Sequence, residues 1–401
     1  MKLKSFIYLI FFLSVVVGQA QLRSLNYGSV AERNYLTIIR FEMMGDKLIV
    51  PVSIEGQTYR FLLDTGAPNI ISKELDSILN PKEIGSLPTS DATGKRSRLK
   101  VVAVKSLQFG DVSFENTATL VYDLNDSAIF RCFDIDGFIG SNMLRKSIIQ
   151  IDAETKTLIL TNNKKNLILD KKQSTKIRLT KNQSSPYIWI KLKGEESGRE
   201  ELLIDTGADD LYDLSKQHYS IFKEKTIFEL LGKAEGASSI SLFGDAPVNT
   251  QFKLLLPILE VNGFEIENVV TQTTNDDNSR IGARLLQYGK MTLDYKGKRF
   301  YFQPYELSSP EINYDYGFSN TYIKDKLSIG FVWDASLTDK IAFGDEVLAI
   351  NDFDINETTL CDLVSDTIRP RSKPIMKLKV RNQQGEINEF LFDGKIWLSN
   401  N

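Results

Sequence analysis

One phrase occurs twice in this chain, in the same surroundings each time. Phe61-Leu62-Leu63-Asp64-Thr65-Gly66-Ala67 recurs as Leu202-Leu203-Ile204-Asp205-Thr206-Gly207-Ala208, at an offset of 141 residues. Each copy follows an alternating apolar stretch and a glycine turn, Ile49 to Ile54 before Gly56 and Tyr187 to Leu192 before Gly194. Both read as β-hairpins leading into the D-T-G loop. Downstream, Leu107 to Asn116 matches Leu259 to Asn268, and Gly137-Phe138-Ile139-Gly140 matches Ser279-Arg280-Ile281-Gly282. Ile148 to Leu160 then matches Met291 to Phe302, with Asp152 and Asp294 at equivalent turns. Features that keep their order at a near-constant offset indicate duplication of one folding unit. The first copy carries about ten extra residues between Asn116 and Gly140, a span that includes Asp123 to Asp136.

Short alternating strands separated by turn residues predict mainly β lobes, each a closed, barrel-like sheet. One helix is expected after each D-T-G loop, near Ser72 to Leu79 and near Leu214 to Phe222. The predicted organisation is 1–20 leader, 21–162 first lobe, 163–304 second lobe and 305–401 a separate domain. A polar segment, Asn162 to Thr175, joins the lobes.

The repeated loop carries the candidate chemistry. An apolar strand ending in Asp-Thr-Gly presents one carboxylate at a fixed exit point. Glycine permits a tight turn and the close approach of a second loop, and threonine can hydrogen-bond across to that loop. If the lobes pair about a pseudo-twofold axis, Asp64 and Asp205 face one another. Two carboxylates that close share a proton, so one can act as base on a water while the other donates a proton. Other chemistries lack their parts. His218 is the single histidine, so paired-histidine zinc sites are excluded, and no G-x-S-x-G accompanies it. His218 is read as a surface or packing residue. Neither a metal nor a cofactor is expected.

These loops resemble the pepsin and retropepsin superfamily of aspartic proteases. The marks are Asp64-Thr65-Gly66 and Asp205-Thr206-Gly207, each followed by hydrophobic-hydrophobic-Gly or a variant, Phe138-Ile139-Gly140 and Arg280-Ile281-Gly282. Arg280 stands where the resemblance expects an apolar residue. Asp205 to Asp210 is similar to the retroviral protease signature, which implies that Asp209 and Asp210 touch substrate backbone; the first lobe has Pro68 and Asn69 there. The resemblance also implies a covering hairpin in each lobe. The candidates are Ser90 to Arg98 around Gly94, and Gly232 to Gly244 with Gly236.

After Pro304 the repeat ends. Tyr316-Gly317-Phe318-Ser319 precedes a strand at Leu327 to Trp333, the element Gly344-Asp345-Glu346-Val347-Leu348-Ala349-Ile350-Asn351, a helix at Leu360 to Ile368 and a strand at Ile375 to Val380. This order resembles a PDZ domain. The resemblance implies that Tyr316, Gly317 and Phe318 hold the carboxylate of a C-terminal peptide.

Lys2 and Lys4 precede an apolar run, Phe6 to Val17, that ends in Gly18-Gln19-Ala20. This pattern predicts a secretory signal peptide and an exported chain, periplasmic or secreted, soluble after cleavage. The net charge is -3 with no long basic run, which gives no reason to expect nucleic acid. Cys132 and Cys361 are the two cysteines, and free thiols are the expectation. Together these features predict an exported aspartic endopeptidase that acts on polypeptides as a monomer. The alternative is an inactive adaptor that keeps the fold and binds peptides. A site formed between chains is disfavoured, because two complete lobes suffice within one.

Overall fold

The protein is described from a computed structural model. It describes residues 24–396 apart from 91–95, 238–239, 242–243, 246, 307–313, 325, 356–358 and 365–372. The expected leader and Gly94 lie outside the described residues.

Each lobe is a ring of six strands. In the first, the ring runs Val112–Tyr122, Ile70–Ser72, Gly137–Gly140, Gln57–Asp64, Lys47–Ile54 and Arg96–Phe109, which pairs back with Val112–Tyr122. In the second it runs Pro186–Lys193, Ser197–Ile204, Arg280–Ile281, Tyr212–Ser215, Phe264–Thr274 and Asn249–Val261, which pairs back with Pro186–Lys193. Ring closure leaves few strand edges exposed. The strand that leads into each D-T-G loop lies between two partners. Its residues before the aspartate, Phe61 to Leu63 and Leu202 to Ile204, are all buried. A strand covered on both faces reads as a continuous apolar run, which both copies of the repeat show.

The expected helices form at Lys73–Leu79 and Lys216–Phe222. Ser72 and Ser215 cap them by accepting backbone N–H bonds from Leu75 and Gln217. Leu214 belongs to the preceding strand.

The lobes join through a six-stranded sheet in the order Leu36–Arg40, Thr157–Thr161, Ile148–Asp152, Gly289–Asp294, Arg299–Pro304 and Ser174–Lys176. Its two central strands are antiparallel, and Gln150 lies opposite Thr292. These residues occupy the same position in the two copies of the repeat. A residue paired with its own counterpart marks a pseudo-twofold axis, and the Gln150 Nε2 amide donates to Thr292 Oγ1 at 2.9 Å there. One apolar cluster runs through both lobes, including Phe61 and Ile139 from the first and Ile204 and Met291 from the second.

The extra residues of the first lobe form a 3-10 turn, Leu124–Asp126, and a helix, Ala128–Phe133. That helix corrects the expectation of free thiols. It places Cys132 in a disulfide with Cys361, on the helix Leu360–Val364. The bond joins residues 229 apart in sequence, with 4.7 Å between the Cα atoms. Two lone cysteines form no spacing pattern, so only packing of the two helices reveals the pair.

The C-terminal segment forms a six-stranded antiparallel sheet in the order Phe318–Ile323, Lys326–Val332, Glu346–Ile350, Ile375–Arg381 and Ile387–Asp393, with the short strand Phe353–Asp354 also paired to Glu346–Ile350. It has its own apolar cluster around Ile329, Val347, Leu378 and Phe392. It docks on the second lobe at the hairpin Glu229–Gly236 and Asn249–Val261. Ala237 N–H donates to Gly330 O at 3.2 Å, and Lys253 Nζ meets Asp315 Oδ1 at 2.7 Å.

Candidate active site

The two D-T-G loops meet on the pseudo-twofold axis. Thr65 N–H donates to Thr206 Oγ1 at 3.1 Å, and Thr206 N–H donates to Thr65 Oγ1 at 3.1 Å. Each hydroxyl in turn donates to a carbonyl of the opposite strand, Thr65 Oγ1 to Ile204 O at 2.7 Å and Thr206 Oγ1 to Leu63 O at 2.8 Å. Both threonines are fully buried. Four reciprocal bonds in a dry environment fix one loop against the other, because breaking any of them strands a buried polar group.

The glycines set the separation of the carboxylates. A Cβ on Gly66 would lie 2.5 Å from Asp205 Cγ, and one on Gly207 would collide with the Asp64 carboxyl. Only a residue without a side chain lets each carboxylate lie over the other loop. Gly66 and Ala67 N–H donate to Asp64 Oδ1 at 2.9 and 2.8 Å, and Gly207 N–H donates to Asp205 Oδ1 at 3.0 Å. Each carboxyl therefore lies against the glycine of the opposite loop, close enough for the two to act on one another. Burial and then the neighbouring Asp205 push the Asp64 carboxyl up to about 7.

The walls of the site are unlike. In the first lobe Phe138 is buried and packs edge-on against Phe130 at 5.4 Å. In the second, Arg280 takes that place. Its Nη1 lies 3.1 Å from Asp205 Oδ2, and its Nη2 pairs with Asp276. Burial opposes the Arg280 charge, but Asp205, Asp276 and Asp213 outweigh it and keep the guanidinium protonated. Asp213 is pushed up to about 8, by burial and then by Asp210. His218 Nδ1 bonds to the buried Glu200 at 2.6 Å and to Ser279 Oγ at 3.0 Å. The histidine is therefore a packing residue held by Glu200 and Ser279.

Asp209 and Asp210, expected to touch substrate backbone, form ion pairs with the first lobe and with Arg284. Asp209 Oδ1 pairs with Lys47 Nζ of the first lobe at 2.5 Å. Lys47 also donates to Gly207 O. Asp210 Oδ1 pairs with Arg284 Nη1 at 3.2 Å, and Arg284 Nε reaches Asp46 of the first lobe at 3.1 Å. The acidic loop thus ties the lobes together. In the first lobe neutral partners stand at the matching places: Asn142 Oδ1 accepts from Asn69 N–H at 2.7 Å. Gln183 Nε2 donates to Gly66 O at 2.9 Å, the counterpart of the Lys47 contact.

Gly236 is likewise corrected. It is buried against Gly330 of the C-terminal sheet, where a Cβ would strike the Gly330 carbonyl. Its role is close packing between domains. In the C-terminal loop, Tyr316 and Phe318 belong to the apolar core. Gly317 N–H donates to Asp315 Oδ1 at 3.0 Å, so its donor is already engaged by an internal carboxylate. Lys47, Asp46 and Gln183 carried no sequence signal, since their partners lie in the other lobe. Arg280 did carry one, as the mismatch to Phe138.

An aspartyl protease family model matches residues 50–143. Comparison with characterised protein sequences gives no significant match. Among solved structures, the chain is similar to an aspartic proteinase from Irpex lacteus at 11% identity and TM-score 0.42, covering 69% of this chain and 99% of that one. Basic 7S globulin from soybean gives 11% identity and TM-score 0.41, with 67% and 94% covered. A retropepsin-like aspartic protease from Rickettsia conorii gives 20% identity and TM-score 0.23, with 34% and 94% covered. The fold is mainly β; the aspartyl protease family model covers part of the first lobe, and the same strand arrangement recurs around a second D-T-G loop in the second lobe.

Proposed function

We propose that the chain is an exported aspartic endopeptidase that hydrolyses peptide bonds with a water held by Asp64 and Asp205. The observation that carries this reading is the reciprocal Thr65 and Thr206 bonding, which sets two carboxyls in contact within one chain. Aspartic proteases are the standard instance of two carboxylates sharing one proton. One carboxylate takes a proton from water as it attacks the scissile carbonyl, and the other protonates the carbonyl oxygen. Collapse of the tetrahedral intermediate breaks the C–N bond, with a proton passing to nitrogen. No covalent acyl-enzyme forms.

The Cys132–Cys361 disulfide supports an oxidising compartment outside the cytosol, as does the apolar leader. The strand order of the C-terminal domain supports a PDZ-like assignment. The outer edge of Phe318–Ile323 has no strand partner among the described residues, which suits addition of a peptide strand.

One observation favours a second reading, a peptide-binding protein without hydrolytic activity. Arg280 occupies Asp205 Oδ2, an oxygen that a catalytic water would use. Cleavage of an unfolded protein from about pH 3 to about pH 8 separates the two readings. The hydrolytic reading requires cleavage by the mature chain and its loss in both Asp64→Asn and Asp205→Asn. Peptide binding without cleavage in any form would establish the second reading.

A further inference from the structure

We propose that Arg280 is a positioning residue that fixes the negative charge of the dyad on Asp205 and leaves its proton on Asp64. This inference rests on the hydrolytic reading for its catalytic meaning. The charge assignment itself stands on the geometry of the pair.

Two carboxylates related by a twofold axis would share one proton without preference. Here the axis is broken at one position. Arg280 lies beside Asp205 at 3.1 Å with 8% of its surface exposed. Its counterpart in the first lobe is Phe138, which brings no charge to Asp64. A buried guanidinium at ion-pair distance favours the ionised form of the group it touches. Arg280 Nε is buried without a partner, so the ion pairs through Nη1 and Nη2 account for its placement.

Other charges around the pair do not reverse this preference. Lys47, on the strand Lys47–Ile54, acts on both Asp64 and Asp205 and is anchored to Asp209. Asp213, on Tyr212–Ser215, faces Arg280 and Asp205 as an acid, with Asp210 and Asp209 acting on it in turn; Asp276 pairs with the Nη2 of Arg280. Among the described cations, Arg280 is the one paired directly with a catalytic carboxylate. The elevation of the Asp64 carboxyl to about 7 agrees with a proton held there.

The roles follow with proton balance. Asp205, as carboxylate, takes a proton from the attacking water, and the C–O bond forms. Asp64 gives its proton to the carbonyl oxygen. The dyad then holds one proton, on Asp205, which passes to nitrogen as the C–N bond breaks, while Asp64 takes a proton back from a hydroxyl of the tetrahedral intermediate as the product carboxyl forms.

The test is a titration of the full mature chain with carbon-13 aspartate, assigned through Asp64→Asn and Asp205→Asn. The Asp64 carboxyl signal should move through neutral pH. An Asp64 signal that already reports a carboxylate well below neutral pH would overturn the proposal. A second arm follows cleavage against pH. Arg280→Met should move the acid limb upward by about 1 pH unit or more, and Arg280→Lys should leave it near its original place. A uniform loss of rate with an unmoved limb would mean a merely structural role and would also overturn the proposal. If Arg280→Met does not fold, the wild-type titration decides. Absence of cleavage in every form, with the predicted movement of the Asp64 signal, would refute hydrolysis and uphold the charge assignment.

Discussion

Replacing Thr206 with valine tests the coupling of the two lobes, because the change removes one oxygen and keeps the shape. That oxygen accepts from Thr65 N–H at 3.1 Å and donates to Leu63 O at 2.8 Å. Thr206, Thr65 and Leu63 are all fully buried. Valine therefore strands one N–H and one carbonyl away from water. Each costs roughly 1–3 kcal/mol, giving a loss of about 4 kcal/mol. Serine keeps the oxygen and loses one methyl group, for about 1 kcal/mol. Urea denaturation of the three forms reads the difference directly. The same step should lower kcat about a hundredfold in the valine variant, because a small misplacement of reacting groups is enough. Thr65→Val should behave alike, by the pseudo-twofold axis. The double valine variant should show a coupling energy of about 0.5–3 kcal/mol. Equal stability and activity in Thr206→Val and Thr206→Ser would refute the reasoning.

Three further outcomes are expected. The folded state holds the Asp64 proton up to about 7, above its ordinary 3.8, so it binds more protons than the unfolded chain between those values. The resulting contribution to stability is present at low pH and is lost as pH rises from about 4 to about 7. Asp64→Asn should thus melt higher than wild type at about pH 8, with a smaller gap at about pH 5; an unchanged gap would contradict this. Gly66→Ala should abolish catalysis while leaving secondary structure by circular dichroism intact, because its Cβ would lie on the Asp205 carboxyl; retained activity would refute the close approach. Cys132→Ser removes a bond closing 229 residues, for which chain entropy gives roughly 5 kcal/mol as an upper figure. It should lower the denaturation midpoint and expose the C-terminal domain to added protease, whereas no effect would show that the domain is held by packing alone.

The comparison of sequence with structure turns on which partners lie within one repeat. The D-T-G loops, their flanking hairpins and the barrel lobes were legible because duplication repeats a local pattern. The twofold contact of Thr65 and Thr206 was legible too, since two equivalent residues must meet at an axis. Lys47 was not, because its partners Asp209 and Gly207 lie in the other lobe. Arg280 was visible as a mismatch to Phe138, yet nothing local announced that Asp205, Asp276 and Asp213 surround it. Gly236 reads like a lid glycine, but the C-terminal sheet occupies its surroundings. Cys132 lies in the extra residues of the first lobe, where no second copy exists to compare.

The central claim is that one chain holds one hydrolytic site made from both aspartates. Titration of the purified mature chain with a tight-binding peptide isostere bearing a hydroxyl at the scissile position tests it most directly. The predicted result is about one equivalent bound per chain, and none in either Asp64→Asn or Asp205→Asn. Binding of about half an equivalent would mean a site shared between chains. Full binding in either variant would mean that the two carboxylates do not act as one pair.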